Sequence, residues 1–328
     1  MKALILHKEG DDVRPVIEDV DESRLPDGDV LIDVAYSSLN YKDGLAVTNK
    51  GKIIRGEFPF VPGIDLAGTV AHSDSPHWKS GDQVILTGWS TGEARWGGFA
   101  ERARASGEHL VRLPEGMSLK DAMLVGTAGV TAMLSVLALE EMHVTPEMGP
   151  VVVTGASGGV GSTAVALLAR AGYKVAASTG TASAREYLRA LGAAEIVDRS
   201  ELEGPPSNPM GAARWAGAVD CVGGSTLANI IAHTMRHGCV AACGLAASHK
   251  LETTVFPFIL RGVVLYGIDS NTADPEKREL AWGRLAEAVG HGAFSGVEEV
   301  IGLDDVIAYS DKIVRGETRG RVVVDLSR

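Results

Sequence analysis

The chain has 328 residues, 45% hydrophobic and 22% charged, with 31 Lys and Arg against 42 Asp and Glu for a formal net charge of −11. That length exceeds one ordinary core and suits two domains, while the acidic balance argues against nucleic acid as a partner, because such binding needs clustered cations. Three cysteines, Cys221, Cys239 and Cys243, make no disulfide framework and point to a reducing, cytoplasmic compartment.

Met1 leads directly into a strand-like KALIL, and apolar runs such as 151–153 and 263–265 fall far short of the ~20 residues of a membrane span. Neither a signal peptide nor a membrane anchor is expected. Residues 1 to about 120 carry short alternating or β-branched runs at 30–34, 68–71, 83–86 and 109–113, broken by Gly and Pro, which predicts a compact, mostly β unit. From about 121 the rhythm changes. SLKDAMLVGTAGVTAMLSVLALEEM opens on Ser118 as a helix cap and continues with apolar residues at helical spacing. Strands are predicted at 151–154, 174–178, 195–197, 218–222 and 238–243, with helices at 158–171, 183–191 and 225–236 between them. Such alternation means βαβ units and a parallel, Rossmann-type sheet. A polar loop follows at 203–211, and beyond about 270 come a helix at 275–290 and a closing strand at 320–326.

The stretch after the 151–154 strand carries Gly155, Gly158 and Gly161 at GxxGxxG spacing, directly before a helix. One glycine allows the tight turn, one lets the backbone approach a pyrophosphate, and one lets helix and strand pack closely, while the helix start offers free N–H groups to phosphate. The loop from Gly155 through Ala156, Ser157, Gly158, Gly159 and Val160 to Gly161 is therefore the candidate dinucleotide site. An NAD site places Asp or Glu at the end of the second strand. Here Ser178, Thr179, Gly180 and Thr181 supply small donors, Arg185 a cation, and no acid comes before Glu186. Arg199 follows the third strand. NADPH is the expected cofactor.

His233 and His237 sit four apart on the predicted helix, but a helix-end role for His237 explains them more simply than a metal. Cys239 and Cys243 would stand ~13 Å apart along a strand, too far to share an ion. The basic set Lys50, Lys52, Arg55, Arg315, Arg319 and Arg321 could meet substrate phosphates, with Arg319 and Arg321 as the named candidates. The apolar segment 261–269 reads as a sheet-edge strand that would pair with a second copy, giving a homodimer.

A β-rich start, a central cofactor domain and a return to the first domain resemble the medium-chain dehydrogenase/reductase superfamily. The resemblance implies an α/β fold with a β-rich, GroES-like catalytic domain at 1–122, a Rossmann NADP-binding domain at 123–266, and a return at 267–328. Where zinc-dependent members carry their metal ligands, this sequence reads Asn40, Ile64 and Thr127, and the four-cysteine structural lobe is missing, so no metal is expected. The stretches SSLNYKDGLA, FPFVPGIDLAG, GTAGVTAML, RALGAAEIVDR and PFILRGVVLYGIDS resemble the NADPH-dependent acryloyl-CoA reductases. Relatives tend to place a basic residue near Thr181. Here Arg185 or Arg199 would supply that charge.

The resemblance implies reduction of acryloyl-CoA to propionyl-CoA, by hydride addition at the β-carbon and protonation at the α-carbon, so the substrate partner is a small acyl-CoA. Tyr41 is the candidate proton donor, since a phenol of ordinary pKa ~10 is protonated at neutral pH; water is its competitor. Asn40 would hold the nicotinamide or thioester side and Asp43 would order the loop. Tyr41, Thr131, Leu245 and Ser270 join the cofactor-binding set on the same ground. A quinone or enal oxidoreductase and a non-catalytic nucleotide-binding protein are the alternatives.

Overall fold

The computed structural model describes residues 1–294 and 296–328. In chain order the first elements are β1 (Lys2–Glu9), β2 (Asp12–Asp19), β3 (Val30–Leu39), α1 (Tyr41–Val47), β4 (Asp65–Ser73), β5 (Gln83–Thr87), β6 (Arg102–Ala105), β7 (Val111–Arg112) and α2 (Leu119–Glu141). The central run is β8 (Val151–Val153), α3 (Gly159–Arg170), β9 (Val175–Thr179), α4 (Arg185–Ala190), β10 (Glu195–Asp198), β11 (Trp215–Asp220), α5 (Gly224–His233), β12 (Thr234–Ala242), α6 (Phe256–Arg261), β13 (Val264–Gly267) and α7 (Pro275–Gly290). The chain closes with β14 (Glu298–Gly302), α8 (Val306–Val314) and β15 (Arg321–Asp325).

These elements form two compact units. The first joins residues 1–127 to residues 296–328, and the second begins at Ala128 and ends just before Gly296. The outward boundary lies five residues beyond the expected 122, next to a break in α2 at Gly126, whose φ of 51° and ψ of −162° no helix contains. The return comes well after the expected 266. Helix α7 stays with the second unit because Arg284 grips Glu140 at 2.5 Å and Lys277 reaches Glu141 at 2.9 Å, both on the end of α2.

In the first unit a seven-stranded sheet runs β14-β15-β3-β4-β5-β7, with β6 paired to β3, beside the β1-β2 hairpin. Strand β15, the last in the chain, lies antiparallel to β3, with Val322 opposite Leu39 and Asp325 opposite Tyr36. Its apolar core includes Leu4, Leu6, Ile32, Leu39, Leu66, Phe99 and Val324.

In the second unit six parallel strands run β10-β9-β8-β11-β12-β13. Counted from β8 this is the order 3-2-1-4-5-6 of a doubly wound sheet, whose direction reverses between β8 and β11, where ligands bind such folds. Val152, Ala176, Ala218 and Val240 fill the sheet centre because a parallel sheet is covered on both faces.

Two sequence expectations are corrected. The helix expected at 225–236 ends at His233, and β12 starts at Thr234, whose hydroxyl donates back to the carbonyl of Ile230 at 2.8 Å. His237 therefore lies in a strand, at a φ of 62°, where the pairing of β11 jumps from Trp215–Thr234 to Gly217–Cys239. The expectation that every apolar run falls far short of a membrane span is corrected at α2, the helix expected after Ser118, whose 23 residues are long and apolar enough to cross a membrane by length and composition. It is almost wholly buried in the protein and broken at Gly126, which is how a core helix looks.

Candidate functional site

In the second unit the candidate cofactor site lies at the C-terminal ends of β8, β9 and β11. Gly155 follows β8 with a φ of 57°, a conformation L side chains avoid. A methyl group built on Gly161 would lie 2.3 Å from the carbonyl oxygen of Gly155 and 2.7 Å from Cα of Ala156, so only glycine lets α3 pack this tightly on the loop. The amide of Ala156 donates to Ser178 at 3.2 Å, and that of Gly158 to Gly155 at 3.0 Å. The N-cap of α3 is Gly158, with no side-chain cap hydrogen bond, which leaves the first turn from Gly159 and Val160 uncapped behind Ser157. Asp220 ties this turn to β11. It accepts from Thr154 Oγ1 at 2.7 Å and from the amide of Gly223 at 2.8 Å, and burial raises its pKa above 3.8.

Ser178 and Thr179 are buried at the end of β9, followed by exposed Gly180. The guanidinium of Arg199 lies across Gly180, 2.9 Å from where a Cβ would stand. Arg185 pairs instead with Asp198 at 3.1 Å. Arg199 also pairs with Glu203 at 2.9 Å, so both cations have an acidic neighbour and only Arg199 lies against Gly180. Thr131 donates its hydroxyl to that of Ser270 at 2.8 Å, which joins two residues proposed for the cofactor from opposite ends of this unit. Leu245 is 65% exposed beside Gly223.

In the first unit the residues expected to be catalytic lie where Asn40 begins α1. Its amide donates to Asp43 Oδ2 at 2.9 Å, and the amide of Ile64 donates to Asp43 Oδ1 at 2.9 Å. Asp43 is buried, and burial followed by the charge of Asp65 raises its pKa from 3.8 to about 7. Tyr41, at the first helical position, is 46% exposed.

Asp65 and Ser38, both overlooked in the sequence, sit at the centre of a buried network. The Asp65 carboxylate accepts from Ser38 Oγ (2.5 Å), Asn40 Nδ2 (2.9 Å), the amide of Thr127 (3.0 Å) and Thr127 Oγ1 (2.5 Å). Arg321 reaches in from β15. It donates to Asn40 Oδ1 at 3.0 Å, Ser38 Oγ at 2.9 Å and the carbonyl of Leu124 at 3.0 Å, and stands 3.9 Å from Asp65. Burial lowers the pKa of Arg321, against the opposing charges of Asp65 and Asp43. The break at Gly126 makes room for this: a methyl there would lie 2.6 Å from Asp65 Oδ2 and 2.7 Å from Arg321 Nη2.

Arg321 as a substrate phosphate ligand is thereby corrected, since it is 3% exposed and its guanidinium is spent on the network. Arg319, two residues earlier, is exposed and outside it. The wider basic set is also divided, with Arg55 on Glu93 at 3.0 Å, Lys50 on Asp311 at 3.6 Å and Arg315 on Glu317 at 3.0 Å. Asn40, Ile64 and Thr127, the places of metal ligands, offer an amide engaged with Asp65, an alkyl group and a hydroxyl engaged with the same carboxylate. Among the described residues no group of three or more His, Cys, Asp or Glu converges as a metal site would.

Comparison with known proteins finds a match in each unit. The alcohol dehydrogenase GroES-like domain matches residues 26–115, and the zinc-binding dehydrogenase domain matches residues 159–287. The chain is 49% identical to the probable acrylyl-CoA reductase AcuI of Escherichia coli over 327 residues, 100% of each chain. It is 45% identical to the acrylyl-CoA reductase AcuI of Ruegeria pomeroyi, over 99% of each. Among solved structures it resembles the YhdH oxidoreductase of Salmonella enterica in complex with NADP at a TM-score of 0.97 and 50% identity, covering 99% of this chain and 100% of that one. The Bacillus subtilis protein YhfP with NAD bound follows at a TM-score of 0.95 and 42% identity, covering 99% of each. Full-length identity at this level, with both domain matches, shows that the chain belongs to the medium-chain dehydrogenase/reductase family.

Proposed function

We propose that the protein is an NADPH-dependent reductase of the carbon–carbon double bond of acryloyl-CoA, giving propionyl-CoA. The observation that carries this reading is the full-length identity of 45–49% to two acrylyl-CoA reductases. The glycine loop fits a dinucleotide, because the methyl test at Gly161 leaves no side chain between loop and helix. Arg199 over Gly180 favours the 2′-phosphate, the more so as no acid ends β9.

Bound NADPH supplies a hydride for the β-carbon. The chain's own residues then deal with the charge left on the thioester. Tyr41, exposed at the start of α1, donates or relays the proton to the α-carbon. Asn40 orients the reacting end, its side chain fixed by Asp65 and Arg321, and Asp43 holds the Asn40–Tyr41 turn through the amides of Asn40 and Ile64. Within the second unit Thr131 and Ser270 hold the cofactor, with Leu245 as an apolar wall. Arg319 remains the candidate for the phosphates of coenzyme A.

The donor set around Asp65 does not fit zinc, since a guanidinium stands where a second cation would be repelled. No step passes through a metal. Three thiols and no disulfide support a reducing, cytoplasmic setting. Strand β13 at the sheet edge and the exposed Val255 (63%), Ile259 (68%) and Leu260 (51%) support a homodimer, which light scattering tests.

The reading is tested by following NADPH and NADH oxidation in parallel against acryloyl-CoA, crotonyl-CoA and a quinone. Fastest turnover with NADPH and acryloyl-CoA is expected. A quinone reduced at a much higher kcat/KM would replace the substrate assignment.

A further inference from the structure

Strands β11 and β12 run parallel with Asp220 opposite Ala242, so the next residue on each strand, Cys221 and Cys243, is also placed side by side. Neighbouring strands are about 4.8 Å apart, inside the Cα separation of about 4.4–6.8 Å that a disulfide spans. The two sulfurs lie 3.7 Å apart, and both residues are only half-buried. The third cysteine, Cys239, is fully buried, and burial pushes its thiol up to about 12. It is therefore a poor nucleophile beside the pair.

This pair sits directly against the glycine loop. Cβ of Cys221 lies 3.3 Å from where a methyl on Gly155 would stand. The amide of Cys221 donates to Thr154 Oγ1 at 3.0 Å, and that hydroxyl donates to Asp220 at 2.7 Å. On the other strand the amides of Cys243 and Gly244 donate to the carbonyl of Asp220 at 2.9 and 3.2 Å. Closing the sulfurs from 3.7 Å to a bond of about 2.05 Å repositions the Cys221 side chain, whose Cβ packs against Gly155.

We infer that Cys221 and Cys243 form a dithiol site that a small disulfide such as oxidised glutathione converts to an intramolecular disulfide, and that this conversion weakens NADPH binding by the glycine loop. One cysteine attacks the oxidant as its thiolate, forming a mixed disulfide and releasing one glutathione thiol. The second, after giving its proton to solvent, attacks the mixed disulfide and releases the other. Two protein S–H bonds are lost, one S–S bond forms, and the oxidant's S–S bond is reduced to two thiols. A mutual hydrogen bond and burial hold the Cys221 thiol well above the ordinary thiol range, so first attack by Cys221 is slow. Linkage requires the reverse effect, so bound NADPH should shift the thiol–disulfide equilibrium toward the dithiol by the same factor.

The coupling rests on the loop being the NADPH site, whereas disulfide formation does not. The full chain is treated with oxidised glutathione and mapped by peptide mass, and NADPH affinity is read by fluorescence before oxidation, after it, and after reduction with dithiothreitol. A Cys221–Cys243 cross-link with Cys239 still free, and an NADPH Kd raised tenfold or more that dithiothreitol restores, is the expected result. C243S should bind NADPH like the untreated protein before oxidation and form no intramolecular cross-link on treatment, only a mixed disulfide that mass mapping distinguishes. Failure to cross-link, or cross-linking with unchanged NADPH affinity, overturns the inference. If neither form binds NADPH while the cross-link forms, the coupling fails together with the cofactor reading, and the dithiol chemistry alone stands.

Discussion

Replacing Arg321 by Met keeps the length of the side chain but removes the cation from the Asp65 network. The carboxylate, with none of its surface in solvent, then faces no positive charge, and Asn40 Oδ1 and the carbonyl of Leu124 lose donors that reach them at 3.0 Å. Breaking a buried pair from one side costs about 3–5 kcal/mol, because the remaining charge is left uncompensated. Each orphaned acceptor adds to that cost on the scale of about 1–3 kcal/mol. By contrast the exposed Lys2–Asp304 pair at 2.9 Å, with 37% and 66% of its side chains in solvent, is worth at most about 1 kcal/mol, so K2M serves as the control. For a unit of this size each kcal/mol moves Tm by about 2–4 °C. From the broken pair alone R321M is expected to melt roughly 6–20 °C lower in differential scanning calorimetry, and the orphaned acceptors lower it further. D65N added to R321M should recover a large part of that loss by removing the unpaired charge, as a double-mutant cycle measures. An R321M protein melting within a degree or two of wild type, or a double mutant no better than R321M, would refute the network's role.

Asp43 binds a proton more tightly folded, at about 7, than unfolded, at 3.8, so the native state holds more protons between those values and stability falls as pH rises from about 4 to 7. The full change is about 4 kcal/mol, present as a penalty above pH 7 and absent below about 4; D43N should flatten that slope in Tm measured against pH. R199A should reduce the preference for NADPH over NADH by about 10- to 100-fold in kcat/KM, the worth of a charge-assisted hydrogen bond to the 2′-phosphate. Y41F should lower kcat with acryloyl-CoA by about 10²- to 10⁴-fold with little change in KM; undiminished turnover would assign the proton to water.

The glycine loop was legible because its demands are local: a positive φ at Gly155 and a close approach at Gly161 leave a mark at fixed spacing. The Asp65 network was not, because Arg321 meets Asn40 across 281 residues through strand pairing that no short pattern records. Asp65 and Thr127 do fall inside the stretches PGID and TAGVT, so the segments were found and the partner was missed. The same limit hid the thiol pair. Spacing along one strand separates Cys239 from Cys243, whereas the register between two strands joins Cys221 to Cys243. Helix α5 was overrun because MRHG is compatible with a helix until the strand ladder claims Thr234.

The central claim is that hydride reaches the β-carbon of acryloyl-CoA while the α-carbon takes its proton from the protein or solvent. Incubating the protein with acryloyl-CoA and NADPH deuterated at the transferable C4 position, then locating the label by NMR, tests this directly. One deuterium at the β-carbon of propionyl-CoA and none at the α-carbon is predicted. Label at the α-carbon, or NADPH consumed with no propionyl-CoA formed, would contradict the account.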